Sequence, residues 1–139
     1  GTITGVFAVL VDGDDHNDPV ADSVRGTLDG HIVLERAIGE QGRFPAVNVL
    51  SSISRLAHRA WTPEQGKAVG ELKRLVARFE DTRDLRAMGA YAAGNDNELD
   101  KAVELVPKLY RILSQGASDA PSSDAFREIA AGLSVQGGG

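Results

Sequence analysis

The sequence predicts an α/β segment followed by an all-helical segment. Three observations carry this. "GVFAVLV", from Gly5 to Val11, is almost wholly apolar and rich in β-branched or aromatic residues, as is a strand covered on both faces in a parallel sheet. Short strand-like and helix-like stretches then alternate up to about residue 60, the mark of α/β architecture. Beyond that point helix caps and a 3.6-residue apolar period take over.

Each element has a local reason. A buried helix segment is the alternative for Gly5–Val11, but the run is short and stops in a turn-rich loop. Asp18-Pro19 starts a helix, with Asp as N-cap and Pro at the first helical position. "VADSVRGTL" continues it, and Asp29-Gly30 ends it. "HIVL" is a second strand candidate, and "ERAIGEQG" a helix closing at Gly42 as its C′ residue. In "RFPAVNVLSSISR", Pro45 keeps the preceding residue out of helix, so this stretch is extended or irregular.

Thr62 caps the next helix, with Pro63 first and Glu64 in the first turn. The stretch through Met88 reads as one helix, its apolar positions Val69, Leu72, Leu75, Val76 and Phe79. A second helix runs from about Asn97 to Gln115 on Leu99, Val103, Val106, Leu109, Tyr110 and Leu113, with Pro107 forcing a kink or break. "GASDAPSSD" is a polar linker. Ser123 is placed to cap a last helix bearing Phe126, Ile129, Ala130 and Leu133, and "SVQGGG" frays.

Composition narrows the function. Of 139 residues, 42% are hydrophobic and 25% charged, which describes a soluble globular domain. The net charge of −5 argues against a broad nucleic-acid face. The absence of cysteine excludes a disulfide framework and any Cys-based zinc site, and fits a cytosolic protein. No apolar run is long enough to span a membrane, and no basic-then-apolar leader opens the chain. The chain enters its first strand-like run almost at once, as if cut from a longer protein.

The densest cluster of reactive groups is "DGDDHNDP", from Asp12 to Pro19. An EF-hand needs Asp or Asn at position five, Gly at six and Glu at twelve. Counting from Asp12, His16, Asn17 and Ser23 stand there instead, and the match fails. Asp14, Asp15 and His16 remain open as Mg²⁺ or Zn²⁺ ligands, although adjacent residues rarely converge on one ion. The plainer reading is a solvated turn with a helix cap. There is no G-x-x-x-x-G-K-[ST], G-x-S-x-G or H-E-x-x-H motif. His16, His31 and His58 are scattered singly and read as structural.

The order and spacing of "GDDHNDPVAD", "LDGHIVL", "GRFPA" and "SISR" closely resemble the flagellar protein export ATPases, homohexameric relatives of the rotary ATP synthase β subunit. Injectisome export ATPases share the same pieces. The resemblance runs from residue 1 to about 115 and fades over the last 24 residues. It implies that residues 1–60 are the last strands and helices of a RecA-like P-loop nucleotide-binding domain, and 61–139 a C-terminal helical domain. The family's phosphate loop, catalytic Glu and Mg²⁺-binding Asp lie upstream of the strand that opens this chain. ATP and Mg²⁺ are therefore expected for the full-length enzyme, and no cofactor and no hydrolysis for this piece alone.

The resemblance also assigns roles. Arg55, closing "SSISR", matches the arginine finger that reaches a neighbouring subunit's γ-phosphate; a surface arginine or a local salt bridge is the alternative. Phe44 in "RFPA" matches the aromatic on which adenine stacks, with ordinary packing as its alternative. The synthase relatives place a second aromatic after "LSQ"; here Gly116 and Ala117 follow, so that wall is missing. In those relatives the loop matching "DGDDHNDP" faces the central hole of the ring and touches the rotating shaft. Asp14, Asp15 and Asp18 would then form an acidic ring for a basic coiled-coil partner. Asp96, Glu98 and Asp100 in "GNDNELD" match the acidic shaft-contacting tip. Solvated acidic turns are the alternative for both loops. No residue is assigned to metal. The implied partners are a homohexamer, a central coiled-coil stalk protein, and export-gate and regulatory proteins. No nucleic acid is implied, and peripheral membrane association at most, at the cytoplasmic face of the inner-membrane export apparatus. The rival class is a non-enzymatic helical module that docks a stalk or regulator. A phosphate-loop motif encoded upstream would exclude it.

Overall fold

The computed structural model describes residues 1–11 and 19–134. Asp14, Asp15, His16 and Asp18 lie outside the described residues, as do the last residues of "SVQGGG". Helix α1 covers Pro19–Thr27 and ends before strand β1, Gly30–Leu34. Helix α2, Arg36–Glu40, leads to strand β2, Val47–Ser54. Gly42 is left-handed at φ 76°. Its N–H donates to the Gly39 carbonyl at 2.8 Å, and the Arg43 N–H to Ile38 at 3.3 Å. These are the paired bonds of a Schellman stop, as the placing of Gly42 anticipates.

The expected strand at Gly5–Val11 is not formed. Residues 1–10 carry no strand, and Ile3, Phe7 and Leu10 are 100%, 73% and 93% exposed. A strand of this kind exists through hydrogen bonds to neighbouring strands and cover on both faces. The sheet among the described residues contains only β1 and β2.

Those two strands pair antiparallel, with Gly30 opposite Ser54 and Leu34 opposite Val47. The register slips between His31 and Val33, so β2 bulges where "NVLSS" runs. Asn48 organises the bulge: its Oδ1 accepts from the N–H groups of Leu50 and Ser51 at 2.9 and 3.0 Å. Its Nδ2 donates to Glu35 Oε1 at 2.6 Å. Ser52 Oγ donates to the Asn48 carbonyl at 2.6 Å and accepts from the Val33 N–H at 3.0 Å. A bulge bends its strand and re-aims side chains. Here it sets Val49 and Leu50 against the helical core.

Past α3, Ala57–Ala60, that core is built by α4, Pro63–Asp81, and α6, Asn97–Leu113. Thr62 caps α4 as read, and Gln65 completes a reciprocal capping box. Leu75 and Val76 of α4 meet Ala102, Val106 and Leu109 of α6. Val76 and Val106 are each 1% exposed, a burial worth about 1.5–3 kcal/mol per side chain. The stretch read as one helix divides at Thr82, after which α5 spans Arg83–Ala87. The Thr82 hydroxyl turns back to the Arg78 carbonyl at 2.8 Å, a bond that competes with the helix ladder.

Pro107 does not end α6, which runs unbroken to Leu113. The proline is exposed, while Val106 and Leu109 beside it stay buried and hold the helix to α4. Helix α7, Ala125–Ser134, is capped by Asp124 rather than Ser123: Asp124 Oδ1 accepts from the Arg127 N–H at 3.0 Å. Ile129 and Leu133 pack on the core, and Phe126 meets Trp61 edge-on, with ring centroids 6.0 Å apart.

Candidate functional site

Phe44 stands between the Schellman stop of α2 and the start of β2. Its ring lies over Gly39, where an added Cβ would come 3.5 Å from Phe44 Cε1. The ring is 57% exposed and lines a shallow hollow with Leu34, Gly39, Glu40 and Ala46. An exposed aromatic face in an apolar hollow is suited to stacking a planar base. The Phe44 carbonyl accepts from the Gln115 N–H at 2.8 Å, so the chain just past α6 holds this residue by its backbone. Next to it, the Arg43 guanidinium lies 3.7 Å from the centre of the Tyr110 ring. The Tyr110 hydroxyl donates to Glu80 Oε1 at 2.5 Å. Burial, with the Glu80 carboxylate next, pushes the Tyr110 phenol up to about 12.

Arg55 sits at the other end of the sheet, just past Ser54. Its N–H donates to the Asp29 carbonyl at 2.8 Å, which fixes its backbone beside the end of α1. The side chain is exposed, and Nη2 donates to the Arg25 carbonyl at 3.3 Å. Phe44 and Arg55 therefore occupy opposite ends of β2, and the structure does not bring them together.

The acidic residues around the start of α6 are all engaged within the chain. Asp96 Oδ1 accepts from the N–H groups of Glu98 and Leu99 at 3.0 and 2.9 Å. Its Oδ2 takes Arg78 Nη2 at 2.7 Å. The Leu99 N–H, then Arg78, hold the Asp96 carboxyl below its ordinary range. Glu98 pairs with Arg74 at 3.2 Å. Asp100 accepts from the Tyr91 hydroxyl at 2.6 Å and from the Gly94 N–H at 2.9 Å, and that bond raises the Tyr91 phenol. His31 Nε2 lies 3.1 Å from the Ser51 carbonyl, in keeping with a structural role, and His58 is exposed on α3. Among the described residues no group of three or more His, Cys, Asp or Glu is placed to hold a metal ion, and no helix is long and apolar enough to cross a membrane.

Residues 1–54 match the ATP synthase alpha/beta family, nucleotide-binding domain, and residues 61–130 the T3SS EscN ATPase C-terminal domain. The chain belongs to the type III secretion ATPase family. Its similarity to the Rhizobium meliloti flagellum-specific ATP synthase reaches 57% identity over 96% of this chain and 28% of that protein. Among solved structures, the assembled ATPase EscN of the enteropathogenic E. coli type III secretion system matches with a TM-score of 0.83. That match has 35% identity over 90% of this chain and 31% of EscN. EscN in complex with its central stalk EscO matches with a TM-score of 0.75 and 34% identity, over 83% of this chain and 29% of EscN. The chain thus spans about 28% of the length of the flagellar relative. As a type III secretion ATPase segment it has the expected make-up: part of a nucleotide-binding domain followed by a helical C-terminal domain.

Sequence reasoning passed over Arg43, Tyr110 and Asn48. Arg43 is part of the quoted "GRFPA" motif, which was a usable signal. Tyr110 was placed in an apolar stripe, and no local pattern announces a guanidinium arriving from a distant loop. Asn48 sits in the stretch read as extended or irregular, and its bulge depends on Glu35 and Ser52, which a one-dimensional pattern does not join.

Proposed function

We propose that this chain is the C-terminal part of a homohexameric ATPase that hydrolyses Mg-ATP to energise flagellar protein export. Residues 1–60 complete the nucleotide-binding domain and 61–139 form the C-terminal helical domain. Phe44 stacks on the adenine of the nucleotide. Arg55 reaches into the neighbouring subunit's site and stabilises charge on the transferring phosphoryl group. Mg²⁺ is held with the phosphates by residues outside these 139. The flagellar assignment is favoured over the injectisome one by 57% identity to a flagellum-specific ATP synthase against 35% to EscN.

One observation carries the reading: Arg55 closes "SISR" on a backbone fixed to Asp29, with its side chain exposed beyond the end of β2. A guanidinium positioned this way is available to another subunit. Phosphoryl transfer is catalysed by positioning and charge stabilisation, and an arginine supplied in trans raises turnover by about 10³–10⁵. Asp14, Asp15 and Asp18, together with Asp96, Glu98 and Asp100, are the candidate contacts for a central coiled-coil stalk. The whole assembly works in the cytoplasm, at the inner-membrane export apparatus with its gate and regulatory proteins.

The test is Arg55→Ala in the full-length hexamer. Nucleotide binding is retained, while kcat falls by about 10³ or more. Mixed rings of wild-type and variant subunits lose turnover in trans. Near-normal kcat in the variant hexamer would return Arg55 to a local contact with Arg25.

A further inference from the structure

We propose that Arg43 and Tyr110 are positioning residues for nucleotide binding, through which the helical segment sets the orientation of Phe44. The proposal rests on the reading of Phe44 as the adenine platform. Two contacts, one from the last turn of α6 and one from the chain just past it, land on two consecutive residues. The Tyr110 ring receives the Arg43 guanidinium at 3.7 Å, and the Gln115 N–H donates to the Phe44 carbonyl at 2.8 Å. Tyr110 is itself fixed: its hydroxyl is bonded to Glu80 on α4, and its ring stands edge-on to Phe79 with centroids 6.3 Å apart. On its other side the Phe44 ring lies against Gly39 and shares the hollow with Leu34, Glu40 and Ala46.

These two contacts couple the position of residues 43 and 44 to the end of α6 and the chain just past it. A guanidinium over an aromatic face is strongest when partly desolvated, and here the ring is half-buried. Arg43 and Tyr110 do not touch the phosphates on this reading. They act through Phe44, so their loss falls on nucleotide affinity and not on the chemical step.

The experiment is steady-state ATP hydrolysis by the full-length hexamer, with Phe44→Ala as internal reference. Arg43→Ala removes the clamp from a partly exposed side chain and spares the core. It raises KM for ATP by about three- to tenfold, the size of a partly buried cation–π contact, with kcat little changed. Tyr110→Phe keeps the ring under Arg43 but loses the bond to Glu80, so its KM rises less than that of Arg43→Ala. Gln115→Pro deletes one N–H; Ser114, at φ −78° and ψ 132°, already has the extended backbone that precedes proline. It too raises KM. If Phe44→Ala raises KM while Arg43→Ala and Gln115→Pro do not, the positioning role is wrong and the adenine reading stands. If Phe44→Ala leaves KM unchanged, both fall. A lowered melting temperature in Arg43→Ala with unchanged KM makes the contact merely structural and overturns the proposal.

Discussion

The Arg78 guanidinium donates to the Asp96 carboxylate at 2.7 Å, so the cap of α6 is also an ion-pair partner of α4. One side chain thereby satisfies two orphan N–H groups and ties together the helices that make the core. Asp96→Ala removes both functions, whereas Asp96→Asn keeps a capping oxygen and removes the charge. Thermal melts of the chain should rank wild type above Asp96→Asn above Asp96→Ala. The Asp96 pKa is lowered by the Leu99 N–H and Arg78. Its contribution is therefore complete above the unfolded carboxylate pKa of about 4 and is lost as pH falls through the lower folded value. The wild-type advantage over Asp96→Asn should shrink on acidification below about pH 4. An advantage that grows there would mean the ion pair is not what the carboxylate contributes.

Leu109 and Leu113 belong to the same apolar stripe of α6, yet Leu109 is 4% exposed and Leu113 37%. Leu109→Ala opens a cavity between α4 and α6 and should cost about 2–5 kcal/mol by denaturant unfolding. Leu113→Ala should cost less than about 1.5 kcal/mol. Equal costs would show that the α6 terminus is packed more tightly than its exposure says.

Asn48→Ala removes the acceptor for Leu50 and Ser51 and the donor to Glu35 at once. The loss should be about 1–3 kcal/mol, because these bonds are part-buried or exposed and each contributes about 0.5–1.5 kcal/mol net. Asn48→Asp keeps Oδ1 but puts a carboxylate against Glu35, so it should recover part of the loss only when Glu35 is changed to Gln. Urea melts of the two single variants and the double form the cycle that decides this. An Asn48→Asp variant as stable as wild type would show that the Nδ2 bond to Glu35 contributes nothing.

The caps and periods of the helical half were legible because they are local. Thr62, Pro63 and the apolar positions of α4 and α6 lie within a few turns of what they determine. The splitting of α4 at Thr82 was not, since it turns on where one hydroxyl points. The run at Gly5–Val11 shows the opposite limit: its pattern asks for cover and pairing that the described residues do not provide, so apolar side chains stand exposed. At the site, the family resemblance singled out Phe44 and Arg55, and Phe44 follows a helix stop whose Gly42 is a local signal. The Arg43–Tyr110 contact escaped because its two ends carry no shared pattern.

Asp14 and Asp15 provide the last test, on the full-length hexamer with a basic coiled-coil stalk as partner. If these carboxylates meet the stalk, the Asp14→Asn, Asp15→Asn double variant should keep its basal ATP hydrolysis and lose stalk stimulation. Wild-type stimulation should fade as salt screens the charges, with a Debye length of about 10 Å at 0.1 M. Asp18 is left unchanged because its sequence position reads as a helix cap, whose loss would cost about 1 kcal/mol and blur the comparison. Glu98→Gln is the parallel variant at the other acidic cluster, in the first turn of α6. Its carboxylate already pairs with Arg74 at 3.2 Å, so removing that negative charge leaves the arginine uncompensated where a basic partner would approach, and stimulation should weaken there also. A metal-ligand role for Asp14 and Asp15 predicts something else: chelator alone would change the melting temperature or basal rate with no stalk present. Rates against stalk concentration at two ionic strengths, with melts with and without chelator, separate the two. Unchanged stimulation in the double variant would leave the loop as a solvated turn, because complementary charge acts on encounter and register and its removal must register there.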